Sequence, residues 1–195
     1  MRIESGESVA IAMMTMIKRA SYLYATIAFL AGPPVMAEDN QAIHARALAA
    51  YQAENLFVAM NLLEKPAREG YTPSMVLLAY ILDKAEENER AFSLYQRAAA
   101  RGDPEAMHGL AGMYLSGEGV KQNQARGYAL MEAAGRKGLV KSMRAMAMNY
   151  QRGAPGLKAD ARKARMWWEM AAAAGDKTAI EKLAEMDMAA KGVER

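Results

Sequence analysis

Few residues of this chain have the chemistry of a catalytic or metal-binding site. The 195 residues include two histidines, His44 and His108, and no cysteine. Neither histidine has an Asp or Glu at a metal-ligand spacing that recurs with the other, as a zinc or hydrolytic centre requires. Ser116 lies among glycines, but it lacks the triad partners and the strand-turn-helix context of an acyl-transfer nucleophile. The sequence therefore predicts a protein that is not an enzyme, with no catalytic residue, no metal site and no cofactor.

Methionine is the other chemically distinctive residue type, with 17 in the chain. Met143, Met146 and Met148 lie in one predicted helix, and Met166 and Met170 lie in the next. Thioethers favour Cu(I), so copper binding is a less favoured alternative function. The stronger interpretation is core packing, because Met146 falls at an apolar position shared with other units, where methionine fills irregular gaps. Met143 lies off that register and is a candidate for an adaptable partner-binding surface.

The strongest pattern in the chain is an internal repeat. A glycine closes an alanine-rich stretch at four positions: Gly70, Gly102, Gly138 and Gly175. The intervals between these glycines are 32, 36 and 37 residues, and Tyr80, Tyr114 and Tyr150 are spaced by 34 and 36. A period of this length is typical of stacked helix pairs, each of which leaves an apolar face that its neighbour covers. The repeat therefore favours a binding surface over a catalytic pocket.

The residues between the glycines predict two helices in each unit. The second helix repeats a small residue, a large residue and an alanine: Ala91, Gly127 and Ala164; Tyr95, Met131 and Trp168; Ala98, Ala134 and Ala171. The first helix carries an apolar stripe, matched as Val76, Leu77 and Tyr80, then Leu110, Ala111 and Tyr114, then Met146, Ala147 and Tyr150. The predicted N-caps are Thr72, Asp103, Asn123 and Asp160. Each closing glycine is expected to adopt a left-handed backbone.

Two of these units resemble a known repeat family. Gly112, Met113, Tyr114, Gly117, Glu118, Gly119, Val120, Ala133, Ala134 and Gly138 are similar to the Sel-one-like repeat, a relative of the tetratricopeptide repeat. The next unit is similar through Tyr150, Gly153, Gly156, Ala164, Trp167, Trp168, Ala171, Ala172 and Gly175. The unit ending at Gly102 is closer to a plain tetratricopeptide unit, residues 41–70 form a weaker first unit, and residues 176–188 form an unpaired closing helix.

This resemblance implies a fold and a class of function. It implies an all-α protein, an α/α superhelical solenoid of about four helix pairs, with residues 38–195 as a single domain. Members of the family generally act as adaptors or partner-binding modules and share no catalytic residue. Some exported relatives hold each helix pair with a disulfide, and this chain departs from that pattern because it has no cysteine.

The N-terminal segment has the features of an export signal. Lys18 and Arg19 precede a short apolar stretch, and Val35 and Ala37, two residues apart, have the spacing of a signal-peptidase site. We expect residues 1–37 to be an N-terminal extension and signal peptide, cleaved after Ala37, with translation starting at Met1 or Met16. The stretch is shorter than the ~20 residues of a membrane span, so no stable span is expected after cleavage; the alternative is a retained anchor. The predicted location is the periplasm or the exterior.

Charge is unevenly distributed in a chain whose formal net charge is only +3. Residues 136–165 carry nine lysines and arginines and a single acid, Asp160, whereas residues 83–118 are mildly acidic. Such asymmetry can steer an acidic partner or an anionic surface toward one end, and the alternative is a solvated face without a ligand. Nucleic acid is not an expected partner, because no aromatic residues alternate with the basic ones.

The predicted function is a periplasmic adaptor or scaffold that binds another protein. The candidate partner-binding residues are Tyr114, Lys141, Arg144, Arg152 and Trp167, on the concave side and its loops. Trp167 is included because tryptophan is frequent at binding hot spots, although its register also predicts burial between units. The family resemblance adds a specific form, an immunity or inhibitor protein for an exported toxin. The alternative is recognition of an anionic cell-envelope polymer or lipid by the basic C-terminal repeats.

Overall fold

The computed structural model describes residues 39–193, with side chains described as far as residue 189. Within that range the chain forms helices and no strand. The helices are α1 (Asn40–Gln52), α2 (Leu56–Arg68), α3 (Thr72–Lys84), α4 (Asn88–Ala100), α5 (Pro104–Ser116), α6 (Gln124–Arg136), α7 (Val140–Arg152), α8 (Ala161–Ala173) and α9 (Lys177–Val193). The predicted signal peptide, its cleavage after Ala37 and the start at Met1 or Met16 lie outside the described residues and stay predictions.

The helices stack in chain order. Each packs on the helix before and after it, and α1 also contacts α3 as α3 contacts α5. The connections are short, so successive helices are antiparallel neighbours. The result is four pairs, α1/α2, α3/α4, α5/α6 and α7/α8, with α9 packed against α8 as a closing helix. The predicted all-α solenoid of about four helix pairs is confirmed over the described range.

A left-handed glycine ends each pair. Gly70, Gly102, Gly138 and Gly175 have φ angles between 84° and 96°. Side chains rarely tolerate this region of backbone space, because a Cβ approaches the carbonyl oxygen. The predicted role of the four glycines as helix-closing residues is therefore confirmed.

Side-chain caps start several of the helices. Asp103, Asn123 and Asp160 accept hydrogen bonds from backbone N–H groups three residues ahead, at 2.8, 3.0 and 3.0 Å, as predicted. The predicted cap at Thr72 is wrong by one residue. Thr72 is itself the first residue of α3, and the capping position belongs to Tyr71, whose side chain makes no capping hydrogen bond.

The second helices follow the predicted register. Ala91, Gly127 and Ala164 are buried, as are Tyr95, Met131 and Trp168, and Ala98, Ala134 and Ala171. Small residues on α4, α6 and α8 let the preceding helix approach closely. A Cβ on Gly127 would lie 2.6 Å from Leu115 Cγ, so only glycine fits at this crossing.

The predicted register of the first helices is wrong by two residues in α3. Since α3, α5 and α7 begin at Thr72, Pro104 and Val140, Leu78, Ala79 and Leu82 occupy the positions of Leu110, Ala111 and Tyr114. All three are at most 1% exposed. Tyr80 instead corresponds to Gly112 and is 41% exposed. Tyr80 and Tyr114 are 34 residues apart, whereas α3 and α5 begin 32 residues apart because the loop within the second pair is short. The two tyrosines therefore do not occupy equivalent positions.

The core runs through the stack as two adjoining clusters. One extends from α1 to α5 and the other from α5 to α9, and the half-buried Leu130 packs against both. Side chains of the first helices α1, α3 and α5 share one face of the stack. The shared face positions the candidate site.

Candidate partner-binding groove

An open groove runs along the face that the first helices share. Its volume is about 770 Å³. Side chains from α1, α3 and α5 form its walls, and Tyr95 from α4 and Lys141 from α7 complete them. Successive pairs thus build one continuous surface, as stacked repeats characteristically do.

Two glycines of α5 form part of the groove floor. A Cβ on Gly109 would lie 2.5 Å from Cζ of Tyr95, so the tyrosine ring occupies the space that a side chain would need. A Cβ on Gly112 would meet no atom within 4 Å. Gly112 is exposed, so the floor at this point is open to any molecule that enters the groove.

Apolar side chains line the wall formed by α1 and α3. Leu48 and Tyr80 are 38% and 41% exposed, and Val76 and Leu77 are half-buried beside them. The ring of Tyr80 meets that of Tyr51 edge to face, with centroids 6.2 Å apart, which fixes its orientation. This wall offers apolar surface that no other described part of the chain covers.

Both histidines of the chain line this groove. His44 Nδ1 is hydrogen-bonded to Ser74 Oγ at 3.1 Å, and His108 Nδ1 is hydrogen-bonded to Ser142 Oγ at 2.7 Å. The two serines are fully buried, and each is in the first helix of the pair that follows its histidine in the stack. The histidines occupy the same position of α1 and α5, so the structure repeats one polar contact at an interval of two pairs.

Burial lowers the pKa of both imidazoles. It is the main cause for His44 and His108 alike; for His108, Lys141 lowers the pKa further and Glu105 raises it. Both rings are therefore held in the neutral form at physiological pH. The sequence placed these histidines in different repeats and gave no sign that they share a groove. In the described part of the chain, no three His, Cys, Asp or Glu side chains gather closely enough to hold a metal ion.

The two ends of the groove differ in their charged groups. At the N-terminal ends of α5 and α7, Glu105 and Lys141 form a close ion pair. At the C-terminal ends of α3 and α5, Asp83, Glu118 and Ser116 line the groove, and the Ser116 hydroxyl donates to Glu118 at 3.0 Å. The sequence does not single out Asp83 and Glu118 as groove residues, because Asp83 lies on α3 and Glu118 in the loop after α5, and only the stacking of the helices places both at one end of the groove.

Two of the predicted partner-binding residues are core residues instead. Tyr114 is 4% exposed and Trp167 is 1% exposed, so neither reaches a partner from the surface. The ring of Phe92 packs edge to face on Tyr114, at 5.5 Å between centroids. Arg136 lies over Trp167, and Gly135 leaves space for that ring. Aromatic residues at these positions fill the space between stacked pairs, which outweighs their use as binding anchors.

The three predicted basic residues occupy different environments. Lys141 lines the groove, where it pairs with Glu105. Arg144 lies 3.6 Å from the carboxylate of Asp176, between α7 and the start of α9. Arg152 is exposed at the end of α7. The groove therefore contains one of the three.

Nearby carboxylates neutralise part of the positive charge of the predicted basic end. Arg136, Lys141, Arg144 and Arg165 form ion pairs with nearby carboxylates, so four of its nine cations have acidic partners. Lys163 lies over the ring of Tyr150, at 5.1 Å from the centroid. These contacts reduce the net field that the basic end presents to an anionic surface.

The methionines are divided between core and surface. Met143 and Met146 are 5% and 0% exposed and pack in the second core cluster. Met143 packs beside Gly135, near the ring of Trp167. Its burial there contradicts its predicted role as an adaptable surface residue. Met148 and Met166 are 40% and 38% exposed.

Comparison with known proteins decides the family. The model of the Sel1 repeat matches residues 73–103, 104–139 and 140–176, which is more than half of the chain. The chain belongs to the Sel1 repeat family. Sel1-repeat proteins are generally non-enzymatic helical scaffolds of a protein-binding kind. The three matched repeats correspond to the pairs α3/α4, α5/α6 and α7/α8, each with the turn that follows it. The pair α1/α2 extends the Sel1 stack beyond the matched repeats.

Relatives with curated names are much longer. An uncharacterised protein of Neisseria meningitidis serogroup B is 32% identical over 125 residues, which cover 64% of this chain and 26% of that protein. The chitin synthase regulator SKT5 of Saccharomyces cerevisiae is 33% identical over 138 residues, covering 66% of this chain and 19% of the yeast protein. The Sel1 chain therefore spans about a quarter or less of the length of these relatives.

Solved structures share the fold. A protective antigen of uropathogenic Escherichia coli strains with an SLR fold matches with a TM-score of 0.65 and 27% identity, covering 76% of this chain and 33% of the antigen. A Sel1 repeat protein from Oxalobacter formigenes matches with a TM-score of 0.61 and 25% identity, covering 69% and 56%. No helix among residues 39–193 has both the length and the apolar character needed to cross a membrane.

Proposed function

We propose that this Sel1 chain is an exported adaptor that holds a segment of a protein partner in the groove formed by α1, α3 and α5. The observation that carries the proposal is the groove itself. It combines exposed apolar side chains at Leu48 and Tyr80 with an open floor at Gly112. A repeat scaffold gains nothing from leaving such surface in water, whereas a bound segment would bury it.

Export is the part of this proposal that rests on sequence alone. The basic, apolar and small-residue stretches before Glu38 support secretion into the periplasm. We expect the purified protein from a periplasmic fraction to begin at Glu38. N-terminal sequencing checks this, and a chain that retains residues 1–37 would instead support an N-terminal anchor.

An immunity or inhibitor role is a specific form of the same proposal. A scaffold that fills its groove with part of an exported toxin would block that toxin by steric cover alone, without catalysis. One curated relative is named as a regulator of an enzyme, which agrees with a non-catalytic role of this kind. A gene for an exported effector beside the gene for this chain would favour it.

The groove is tested by filling it. Gly112→Leu adds an isobutyl group where a Cβ meets no atom within 4 Å, so the variant should fold and its groove should be occluded. The matched control is Ala129→Leu, at an exposed position of α6 outside the groove. The partner is isolated by crosslinking the wild-type protein in periplasmic extract at low and high salt.

The expected result is a protein that the wild-type chain and Ala129→Leu retain at high salt and that Gly112→Leu loses. Circular dichroism would first establish that both variants are folded. Equal capture by all three proteins would remove the groove from the function. Capture of only an anionic polymer or lipid, lost at high salt, would support the alternative at the basic end, since polyanion binding weakens steeply with ionic strength.

A further inference from the structure

The groove has an acidic end and an apolar wall, and the two meet at Asp83. Because the first helices of successive pairs run in the same direction, the C-terminal ends of α3 and α5 lie at the same end of the groove. Helix C-termini carry negative partial charge. Asp83 in the last turn of α3 and Glu118 just beyond α5 add two carboxylates to that end.

Asp83 is poorly placed for the isolated chain. It is half-buried, it lies in the last turn of a helix, where the helix dipole opposes an anion, and no hydrogen bond or ion pair within residues 39–189 reaches its carboxylate. Burial raises its pKa, the neighbouring Lys84 lowers it and Glu118 raises it. Burial disfavours the charged carboxylate, and Lys84 offsets part of that cost without forming an ion pair, so a cation from outside the chain would stabilise the carboxylate further.

The surface beside Asp83 suits the rest of a cationic side chain. Tyr80 is 41% exposed and lies one turn before Asp83 on the same helix, with the half-buried Leu77 one turn further back. The face of a tyrosine ring attracts an ammonium or guanidinium group. Lys84 Nζ already lies 5.7 Å from the centre of this ring. The methylene stem of a lysine or arginine would cover the apolar wall while its charge reached the carboxylate.

We propose that the segment held in the groove is cationic: it places an arginine or lysine against Asp83 and Glu118 and lays apolar neighbours over Tyr80 and Leu77. The occupant is a segment of a protein partner, so this inference rests on the proposed function and specifies its chemistry. Charge complementarity at the acidic end of the groove selects the partner, and the apolar wall supplies the buried area.

A random peptide library displayed on phage tests this inference even while the partner is unidentified. The purified wild-type protein selects peptides, and those that Gly112→Leu fails to bind are synthesised for titration calorimetry. We expect a recurring arginine or lysine with apolar neighbours. Asp83→Asn should lower the affinity for such a peptide about tenfold or more, as expected for loss of a partly desolvated charge pair. Glu89→Gln, an exposed change on α4 outside the groove, is the matched control and should leave binding unchanged.

Two further measurements separate a binding role from a structural one. Replacing the peptide's cation with glutamine should abolish the difference between the wild-type protein and Asp83→Asn, because the two changes remove the same contact. The thermal midpoint of Asp83→Asn should be equal to or higher than that of the wild-type protein, since the substitution removes a half-buried charge that has no ion-pair partner within residues 39–189.

The failures are distinguishable. Groove-dependent peptides that lack a cation, or that bind Asp83→Asn as tightly as the wild-type protein, would overturn this inference and leave the proposed groove function standing. If no selected peptide loses binding in Gly112→Leu, both the groove function and its cationic partner are overturned.

Discussion

At the scale of single residues, Gly112 and Gly138 should respond in opposite directions to one added methyl group. A Cβ meets no atom within 4 Å at either position, so packing does not distinguish them. Gly112 is helical, and alanine there should raise the free energy of unfolding by about 0.5–1 kcal/mol. Gly138 has φ of +96°, and alanine there should lower it by about 1 kcal/mol or more. Denaturant unfolding of both variants measures the difference. A shift of the same sign in both would contradict the assigned roles.

Trp168 tests the core at the same scale. The ring is 2% exposed between α8 and its neighbours, so Trp168→Ala should leave a cavity and lower the free energy of unfolding by about 3 kcal/mol. That figure is at the lower end for aromatic truncations, because in the described part of the chain the indole N–H finds no acceptor. Met166→Ala, at a 38% exposed position of the same helix, is the control and should change stability by less than about 0.5 kcal/mol.

At the scale of elements, the helix pairs are joined by side chains that reach back to the preceding turn. Arg101, which follows α4, donates to the carbonyl oxygen of Gly70 in the turn after α2. Arg97 donates to the carbonyl oxygen of Ala67, at 3.2 Å. We predict that Arg101→Met lowers the free energy of unfolding by about 0.5–1.5 kcal/mol, the usual net value of one hydrogen bond. Arg68→Met, at an exposed residue of α2, is the comparison in urea unfolding. Equal effects in the two variants would mean that the contact does not couple the pairs.

The helices themselves could be predicted from the sequence more completely than the groove. The register of α4, α6 and α8 was readable because alternating small and large residues, such as Ala91 and Tyr95, must recur wherever helices cross closely. The register of α3 was not, because two tyrosines of different role, Tyr80 and Tyr114, happened to be similarly spaced. The place of Asp83 in the groove could therefore not be predicted from the sequence. A repeat pattern encodes how neighbours stack, whereas a groove consists of the positions that stacking leaves uncovered.

At the scale of the whole molecule, the two partly buried histidines should make stability depend on pH. The pKa values of His44 and His108 are lowered in the folded state, so near pH 6 the unfolded chain binds more protons than the folded one. The free energy of unfolding should therefore fall as the pH is lowered from about 7.5 to about 5.5. His44→Gln/His108→Gln removes both histidines of the chain and should flatten this part of the profile. A wild-type profile no steeper than that of the double variant would exclude the histidines as its cause.

The turns between helix pairs and the loops within helix pairs differ in how far their lengths vary. Turns between pairs are all three residues long, at 69–71, 101–103, 137–139 and 174–176. Loops within pairs grow from three residues at 53–55 and 85–87 to longer segments at 117–123 and 153–160. All variation in repeat length is thus confined to one edge, where an inserted residue need not disturb helix stacking. The loops within pairs can therefore accept inserted sequence, whether it arises in evolution or is engineered as a reporter. The turns between pairs keep the spacing of the stack.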